Sequence, residues 1–323
     1  MLFRSGLENI VVEKYYVSNA ADAAGSTGVL PAGSVTYRIW ADMLPGYNFQ
    51  ALYGVAGHTL TVQTTTSFFN NEDYGGTTPS ISATNVRKNS ALLDSYFSVG
   101  GAATGKVAVF KSEDTDGSPG NAQSILQNND PSTTGPINIG STTSLLAQDG
   151  MIAGSPVAVT YVGINNTGNG DLGVLDGTSQ VGGLFTTSNG SIAALGGAVG
   201  PTAANRVLVG QFTTNGIFSF TLNVQIGTPA GGTQQFVASN PVGAEIQLAS
   251  LTGTFGAPNT LPTVSITSPT NGASFLTNAV VAIAATASDA DGTVSQVEFK
   301  VDGVSVGIDN TAPYNAKIGR AHV

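Results

Sequence analysis

One short segment gathers more potential ligand-binding chemistry than any other part of the chain. Residues 68–76, Phe-Phe-Asn-Asn-Glu-Asp-Tyr-Gly-Gly, combine aromatic rings, amides and carboxylates. Aromatic faces beside such hydrogen-bonding groups are typical of sugar-binding surfaces, and the same oxygen atoms could instead hold Ca²⁺. In the alternative interpretation, the phenylalanines anchor the loop to a core while the polar residues form turns. The candidate ligand-binding residues are Phe68, Phe69, Asn71, Glu72, Asp73 and Tyr74.

Two other loops place carboxylates close together. Asp114 and Asp116 lie in the Glu-Asp-Thr-Asp-Gly segment at 113–117, and Asp289 and Asp291 lie in Asp-Ala-Asp-Gly at 289–292. Carboxylate oxygens are the ligands that Ca²⁺ prefers, but the first loop lacks the later ligands of an EF-hand, so a simple acidic turn is the alternative. We expect at most modest Ca²⁺ binding at these loops and no other cofactor.

Residues suited to catalysis are scarce. His58 falls in an Ala-Gly-His segment that predicts a solvated hairpin tip, and the second of the two histidines, His322, lies in the last residues of the chain. The absence of cysteine excludes disulfides, thiolate nucleophiles and cysteine-based zinc sites. Asp171 and Asp176 are close in sequence, but a glycosidase needs its carboxylates across a cleft, which nothing in the sequence indicates. We therefore expect no catalytic residue and no enzyme activity.

Composition narrows the class of protein further. The chain carries 11 Lys and Arg against 20 Asp and Glu, a net charge of -9, and a polyanionic nucleic acid would be repelled by such a surface. Hydrophobic residues make up 41% of the chain, enough apolar surface to favour folding over disorder despite 42 glycines. No apolar run reaches the length of a membrane-spanning helix.

Short alternating runs of apolar and polar residues predict an all-β fold. In the run at 35–40, Val35, Tyr37 and Ile39 share one face, while Thr36 and Arg38 lie on the other with a tryptophan. Segments 49–55 and 59–66 are predicted to pair, and segment 206–212 is predicted to form a hairpin with 217–226. Further strands are predicted at 7–16, 92–99, 107–110, 156–164, 244–251 and around 173–175.

The predicted strands suggest one large domain followed by a small one. Residues 6–252 are expected to form a large antiparallel β-sandwich or jelly-roll-like domain, with two smaller sandwiches divided near a surface excursion at 121–144 as the alternative. A linker at 253–261 leads to a small sandwich at 262–316.

The small sandwich carries a recognisable opening. Residues 262–269, Pro-Thr-Val-Ser-Ile-Thr-Ser-Pro, continue to Phe275 in a PxVxIxSPxxGxxF pattern, and Asp302-Gly303 predicts a hairpin turn. This pattern resembles the bacterial Ig-like domains of large secreted proteins, and the resemblance implies an extracellular or cell-surface location. The larger region, with TTTSFFNNEDYG and ASNPVGAEI among its segments, is similar to uncharacterised non-catalytic regions of large secreted Gram-negative surface proteins.

The two ends of the chain look foreign to the protein. Residues 1–5 and 317–323, the latter including Ile-Gly-Arg-Ala-His-Val, resemble translated sequencing-adapter DNA. We therefore expect these residues to lie outside the natural fold, the chain to be a piece of a longer protein, and the Ig-like module to be incomplete.

Three functions fit these observations. The first is an interaction, adhesion or matrix role in a secreted or cell-surface modular protein, with a glycan or protein as partner. The second is a carbohydrate-binding accessory region of a secreted polysaccharide-degrading enzyme, and the third is self-assembly into a surface filament or lattice. An exposed row of aromatic rings would favour the second function, and burial of those rings would favour the first. The rings concerned are Tyr47, Tyr53, Phe68, Phe69 and Tyr74.

Overall fold

The regular secondary structure of the described residues is mostly β-strand, and the chain divides into two compact units. A computed structural model describes residues 5–319 except 19–21, 24–25, 83–84, 86–89, 115–148, 168–169, 177–181, 257–261 and 290–293. The units are Met1–Gly256 and Ala257–Val323. The predicted all-β class is confirmed, whereas the predicted excursion at 121–144 lies outside the described residues.

The described residues of the first unit form seventeen strands in chain order. They are β1 (Leu7–Val17), β2 (Val35–Met43), β3 (Asn48–Gly54), β4 (Leu60–Thr64), β5 (Tyr96–Phe97), β6 (Gly101–Ala103), β7 (Lys106–Ala108), β8 (Met151–Ala153), β9 (Thr160–Val162), β10 (Leu184–Thr187), β11 (Gly190–Ala198), β12 (Arg206–Thr214), β13 (Phe218–Thr221), β14 (Val224–Gly227), β15 (Thr233–Val237), β16 (Ile246–Gln247) and β17 (Thr252–Phe255). Single helical turns occur at Ala91–Leu93, Lys111–Glu113, Gly173–Asp176 and Ala249–Leu251.

These strands form four sheets, in which the long strands pair antiparallel with their neighbours. The orders are β1-β2-β12-β5, β10-β4-β13-β17, β16-β15-β14-β3-β11-β9 and β6-β7-β8. The first three sheets enclose the main apolar core, to which each of them contributes buried side chains. Strand β17 occupies the start of the segment that was predicted to be a linker.

The sheet that contains β2 and β12 is buried on both of its faces. The alternation predicted for β2 is correct, because Tyr37 and Ile39 face the main core while Trp40 faces a second cluster. That second cluster is built from the helical turn Ala91–Leu93 and the β6-β7-β8 sheet among other segments. Both faces are covered, so the polar side of β2, including Arg38, is removed from solvent.

The predicted strand at 217–226 is in fact two strands in two sheets. Phe218 and Phe220 belong to β13, whereas Val224 and Ile226 belong to β14, although all four are buried as predicted. The chain changes sheet at Asn223, whose side-chain Nδ2 donates hydrogen bonds to two backbone carbonyl oxygens of neighbouring segments, at 3.0 and 2.9 Å. The alternating pattern predicts which side chains are buried, but it does not indicate which sheet each half of the segment joins.

Both predicted hairpins of the first unit are wrong for the same reason. Strand β12 pairs with β2 and β5 rather than with β13, and β3 and β4 lie in different sheets. In a sandwich, consecutive strands often cross from one sheet to the other instead of pairing. The predicted strand around 173–175 is also wrong, since Gly173–Asp176 forms a helical turn.

In the second unit, the described residues form a small sandwich of five strands. They are β18 (Thr263–Ser268), β19 (Val281–Ser288), β20 (Val297–Val301), β21 (Val304–Asp309) and β22 (Tyr314–Ile318). Strands β18-β19-β22 form one sheet and β20-β21 the other. The β20-β21 turn was predicted correctly: Asp302 and Gly303 have φ values of 48° and 82°, as in a type I′ hairpin. Strand β22 includes Lys317 and Ile318, which we had expected to lie outside the fold.

Candidate binding sites

The aromatic pair of the 68–76 loop is buried rather than displayed. Phe68 is 2% exposed and packs 5.8 Å from the ring of Phe212, measured between centroids, while Phe69 is 3% exposed in the second cluster. Neither ring offers a face to a sugar. Both rings fill the two cores, as in the interpretation in which the phenylalanines anchor the loop. Ligand binding at this loop stays a prediction.

The polar residues of this loop hold its own backbone in place. The Oδ1 atom of Asn71 accepts hydrogen bonds from the backbone N–H groups of Asp73 and Tyr74, at 3.1 and 2.8 Å. The carboxylate of Asp94, which is fully buried, accepts from the N–H groups of Asn71 and Gly76, at 2.7 and 2.8 Å. Burial raises the pKa of Asp94 well above its usual value, although these two donors oppose the shift. The loop is thus held by hydrogen bonds within itself and by the carboxylate of Asp94, which the sequence did not single out.

The remaining aromatic candidates do not form an exposed row either. Tyr53 is 8% exposed, whereas Tyr47 and Tyr74 are half-buried. Glu72 and Asp73 are exposed at the tip of the loop. Burial of the candidate rings is the outcome that favours an interaction role over an aromatic sugar platform.

In the first acidic loop, at 113–117, the described carboxylate of Asp114 holds a neighbouring segment in place. Asp114 is buried and its Oδ2 atom accepts a hydrogen bond of 2.8 Å from the backbone N–H of Gly150. Burial, together with the neighbouring Asp114 carboxylate, raises the pKa of Asp149 from 3.8 to about 8. Asp116 lies outside the described residues.

Calcium binding stays a prediction. Asp289 is half-buried, and Asp291 lies outside the described residues. Within the described part of the chain, no group of three or more acidic, His or Cys side chains is placed to hold a metal ion.

The sequence did not reveal that the guanidinium of Arg38 is buried. Arg38 is fully buried, and its Cζ atom lies 3.5 Å from the centroid of the Tyr15 ring. Its Nε atom donates to the Oε1 atom of Gln211 at 2.8 Å, and Nη1 donates to the carbonyl oxygen of Gly150 at 2.9 Å. Arg38 therefore ties β2 to β12 and to the segment that carries Asp149, which gives it a role in stability rather than in ligand binding.

Three side chains were considered for catalysis in the sequence: those of His58, Asp171 and Asp176. The Nε2 atom of His58 lies 3.0 Å from Oε2 of Glu245, so His58 is not the solvated side chain that we predicted. Asp171 is exposed, and its Oδ2 atom accepts a hydrogen bond of 2.8 Å from the backbone N–H of Asn165. Asp176 lies half-buried in the helical turn.

A recess lies on the outer face of the six-stranded sheet. It has a volume of about 750 Å³ and is lined by residues of β3, β9, β11, β14 and β15 with their flanking turns. A ladder of amides crosses it: Nε2 of Gln225 donates to Oε1 of Gln50 at 2.8 Å, and Nε2 of Gln235 donates to Oε1 of Gln225 at 3.2 Å. The cross-strand register continues this row with Ala51 and Ala193, which form a flat floor.

Tyr53 lies beside this floor and is paired with Ser191 across strands β3 and β11. Its buried hydroxyl has no hydrogen-bond partner among the described residues. Burial, with Glu245 nearby, raises the pKa of Tyr53 to about 12, so the hydroxyl keeps its proton at neutral pH. We call this recess, bounded by Gln50, Tyr53, Ser191, Leu195 and Gln235, the amide groove.

Comparison with known proteins identifies one part of the chain. Residues 262–319 match the family of the bacterial Ig domain. The predicted Ig-like character of the second unit is thereby confirmed, and this Ig domain indicates a non-catalytic module of a modular extracellular protein.

Other comparisons add little. No curated protein matches the chain. Fibronectin(III)-like modules of Clostridium thermocellum CbhA are similar over 53% of this chain and 68% of that chain, at 22% identity. The TM-score of 0.20 is too low for this likeness to support a structural argument. None of the described helices is long and apolar enough to cross a membrane.

Proposed function

We propose that this chain is a non-catalytic interaction region of a secreted or cell-surface modular protein, with an adhesive or matrix role. The bacterial Ig domain at 262–319 carries the proposal, since such domains occur as modules that extend extracellular proteins. The first unit supplies the specific surface, because it holds the larger core and the amide groove.

The state of the carboxylates supports a non-catalytic role. Asp94 and Asp114 accept backbone hydrogen bonds that close loops, and Asp171 does the same for Asn165. A glycosidase requires two carboxylates facing each other across a substrate, one of them acting as an acid. These three carboxylates are instead committed to the fold.

A carbohydrate-binding accessory role is the second candidate. Burial of Phe68 and Phe69 removes the aromatic platform that first suggested it. The amide groove favours it instead, because amide and hydroxyl groups over a flat apolar floor suit sugar recognition.

The proposed function is tested with the full chain. We expect fluorescently labelled protein to show saturable binding to at least one of four targets: insoluble cellulose, chitin, a gelatin-coated surface, or a second copy of itself in sedimentation velocity. We also expect no release of reducing ends from soluble polysaccharides. Hydrolysis that Asp171→Asn or Asp176→Asn abolishes would overturn the proposal, as would the absence of binding to every target.

A further inference from the structure

The amide groove carries no ionised side chain among the described residues that line it, although the whole chain has a net charge of -9. The carboxylate of Glu245 lies near Tyr53 at one side, where its Oε2 atom is 3.0 Å from Nε2 of His58. A charged ligand would lose its hydration there without gaining an opposite charge, which is unfavourable. A neutral ligand meets no such penalty. The electrostatics of the groove therefore select for an uncharged partner.

The hydrogen-bonding groups of the groove are arranged in a line. The amides of Gln50, Gln225 and Gln235 cross three neighbouring strands, β3, β14 and β15. Adjacent strands are separated by about 4.8 Å, so the amides form a periodic row of donors and acceptors roughly 10 Å long. Tyr53 adds a hydroxyl without a partner among the described residues, and Ser191 adds another hydroxyl. Such a row fits a ligand that presents many hydroxyl groups at intervals.

The apolar parts of the groove allow close approach. Ala51, Ala193 and Gly190 are too small to obstruct a flat molecule on the sheet surface. The exposed side chains of Val162 and Leu195, at 56% and 79%, stand at the rim. Leu195 is exposed because strand β11 bulges between Ala193 and Ala198, where Gly196 and Gly197 adopt positive φ angles. Aliphatic rims suit the C–H faces of sugar rings.

We propose that the amide groove binds a neutral polysaccharide strand, with the glutamine ladder hydrogen-bonding its hydroxyl groups and the alanine floor contacting a ring face. This inference rests on the proposed interaction function and names its partner. The site comprises Gln50, Tyr53, Ser191, Gln225 and Gln235.

The experiment is affinity gel electrophoresis of the full chain. The gels contain laminarin, mannan or hydroxyethylcellulose as neutral polymers, and polygalacturonate or carboxymethylcellulose as charged polymers. We expect retardation by at least one neutral polymer and none by the charged polymers. Retardation by charged polymers alone, or by none of the five, would overturn the inference.

Two pairs of variants locate the site. Ser191→Phe fills the groove from its floor, and Ser219→Phe makes the same change on the outer face of the β10-β4-β13-β17 sheet. Gln225→Ala removes the central amide of the ladder, and Gln63→Ala removes an exposed glutamine of that other sheet. We expect each groove variant to weaken binding about 10-fold or more, as loss of one or two hydrogen bonds or a steric block predicts, and each control to bind normally.

The possible results separate this inference from the proposed function. Fluorescence of Trp40 during thermal unfolding reports whether each variant is folded, and if Ser191→Phe is unfolded, Gln225→Ala decides. Normal binding by the folded groove variants, or equal loss in the controls, would overturn the groove assignment. Binding to gelatin or to a second copy, without binding to any neutral polymer, would leave the interaction role standing and refute the groove as a glycan site.

Discussion

The two units differ in how completely they bury their apolar surface. The first unit places many large rings at under 2% exposure, including Trp40 and Phe218, and covers both faces of its β1-β2-β12-β5 sheet. Among its described residues, the Ig domain has a core cluster of five buried side chains, and in strand β18 Val264 and Ile266 remain 66% and 64% exposed. The unit that is recognisable from its sequence is therefore the less completely packed one.

Carboxylates of the two units also differ in the direction of their pKa shifts. In the first unit, burial raises the pKa of Asp94 and Asp149. In the Ig domain, backbone N–H donors from Asn315 and Thr311 lower the pKa of Asp309, and Lys300 lowers that of Glu298. Buried carboxylates resist ionisation, whereas exposed ones with donors favour it. The comparison predicts that the two units respond oppositely to pH.

The largest expected effect is the loss of a core ring. Phe218→Ala should lower the free energy of unfolding of the first unit by about 5 kcal/mol, because Phe218 stacks on Tyr37 and Phe212. Phe299→Ala in the smaller core of the Ig domain should cost about 3 kcal/mol. Trp40 is the only tryptophan, so its fluorescence reports the first unit, while calorimetry reports both. An equal loss for the two variants would contradict the comparison.

A smaller effect is expected from pH. Folded Asp149 keeps its proton until about pH 8, whereas the unfolded chain releases it near pH 3.8. The folded state thus binds more protons in this window, and the first unit should lose stability as pH rises from about 4 to 8, by up to roughly 1.4 kcal/mol for each pH unit. The change should appear as a falling midpoint in Trp40 fluorescence. Asp149→Asn should reduce it, and Asp94, whose pKa burial also raises, should account for what remains.

The Ig domain provides the internal control for this titration. Its stabilised carboxylates, Asp309 and Glu298, contribute above their ordinary pKa values of 3.8 and 4.5, and the contribution is lost as pH falls below that range. The calorimetric transition that Trp40 does not follow should therefore move down on acidification. A first unit that becomes more stable between pH 4 and 8 would refute the assignment of Asp149.

The smallest effect tests the exposed strand. Val264→Thr should change the stability of the Ig domain by less than about 0.5 kcal/mol, because substitutions at exposed positions have small effects. Val281→Thr, at a position 6% exposed in the neighbouring strand, should cost more. If calorimetry showed similar losses for the two, β18 would be covered in solution and the contrast between the units would disappear.

Much of the fold could be predicted from local sequence. The alternation in β2 correctly separated Tyr37 and Ile39 from Thr36 and Arg38, and the Asp302-Gly303 turn was identified correctly. These predictions succeeded because a two-residue period and a positive φ angle are properties of neighbouring residues. The hairpins predicted for β3-β4 and β12-β13 failed because the choice of sheet depends on distant strands.

Prediction of the candidate sites was limited in the same way, because the sites also depend on distant strands. Phe68 and Phe69 were noticed because they lie beside polar residues in sequence, yet the fold places them in its cores. The amide groove was missed because its glutamines, at positions 50, 225 and 235, are distant in sequence and individually unremarkable. A search for polar residues in register on neighbouring strands would have found them only once the strand order was known.

By itself, the sequence determined the all-β class, the faces of individual strands and the bacterial Ig domain. Local periodicity and turn chemistry determine the first two, whereas the Ig domain is recognised by its resemblance to the family pattern. The tertiary structure alone decided that both faces of the β1-β2-β12-β5 sheet are covered, that Arg38 and Asp149 are buried, and that three glutamines meet in one groove. The physical reason is that these features depend on pairing between strands far apart in the chain, and many such pairings satisfy the same local pattern.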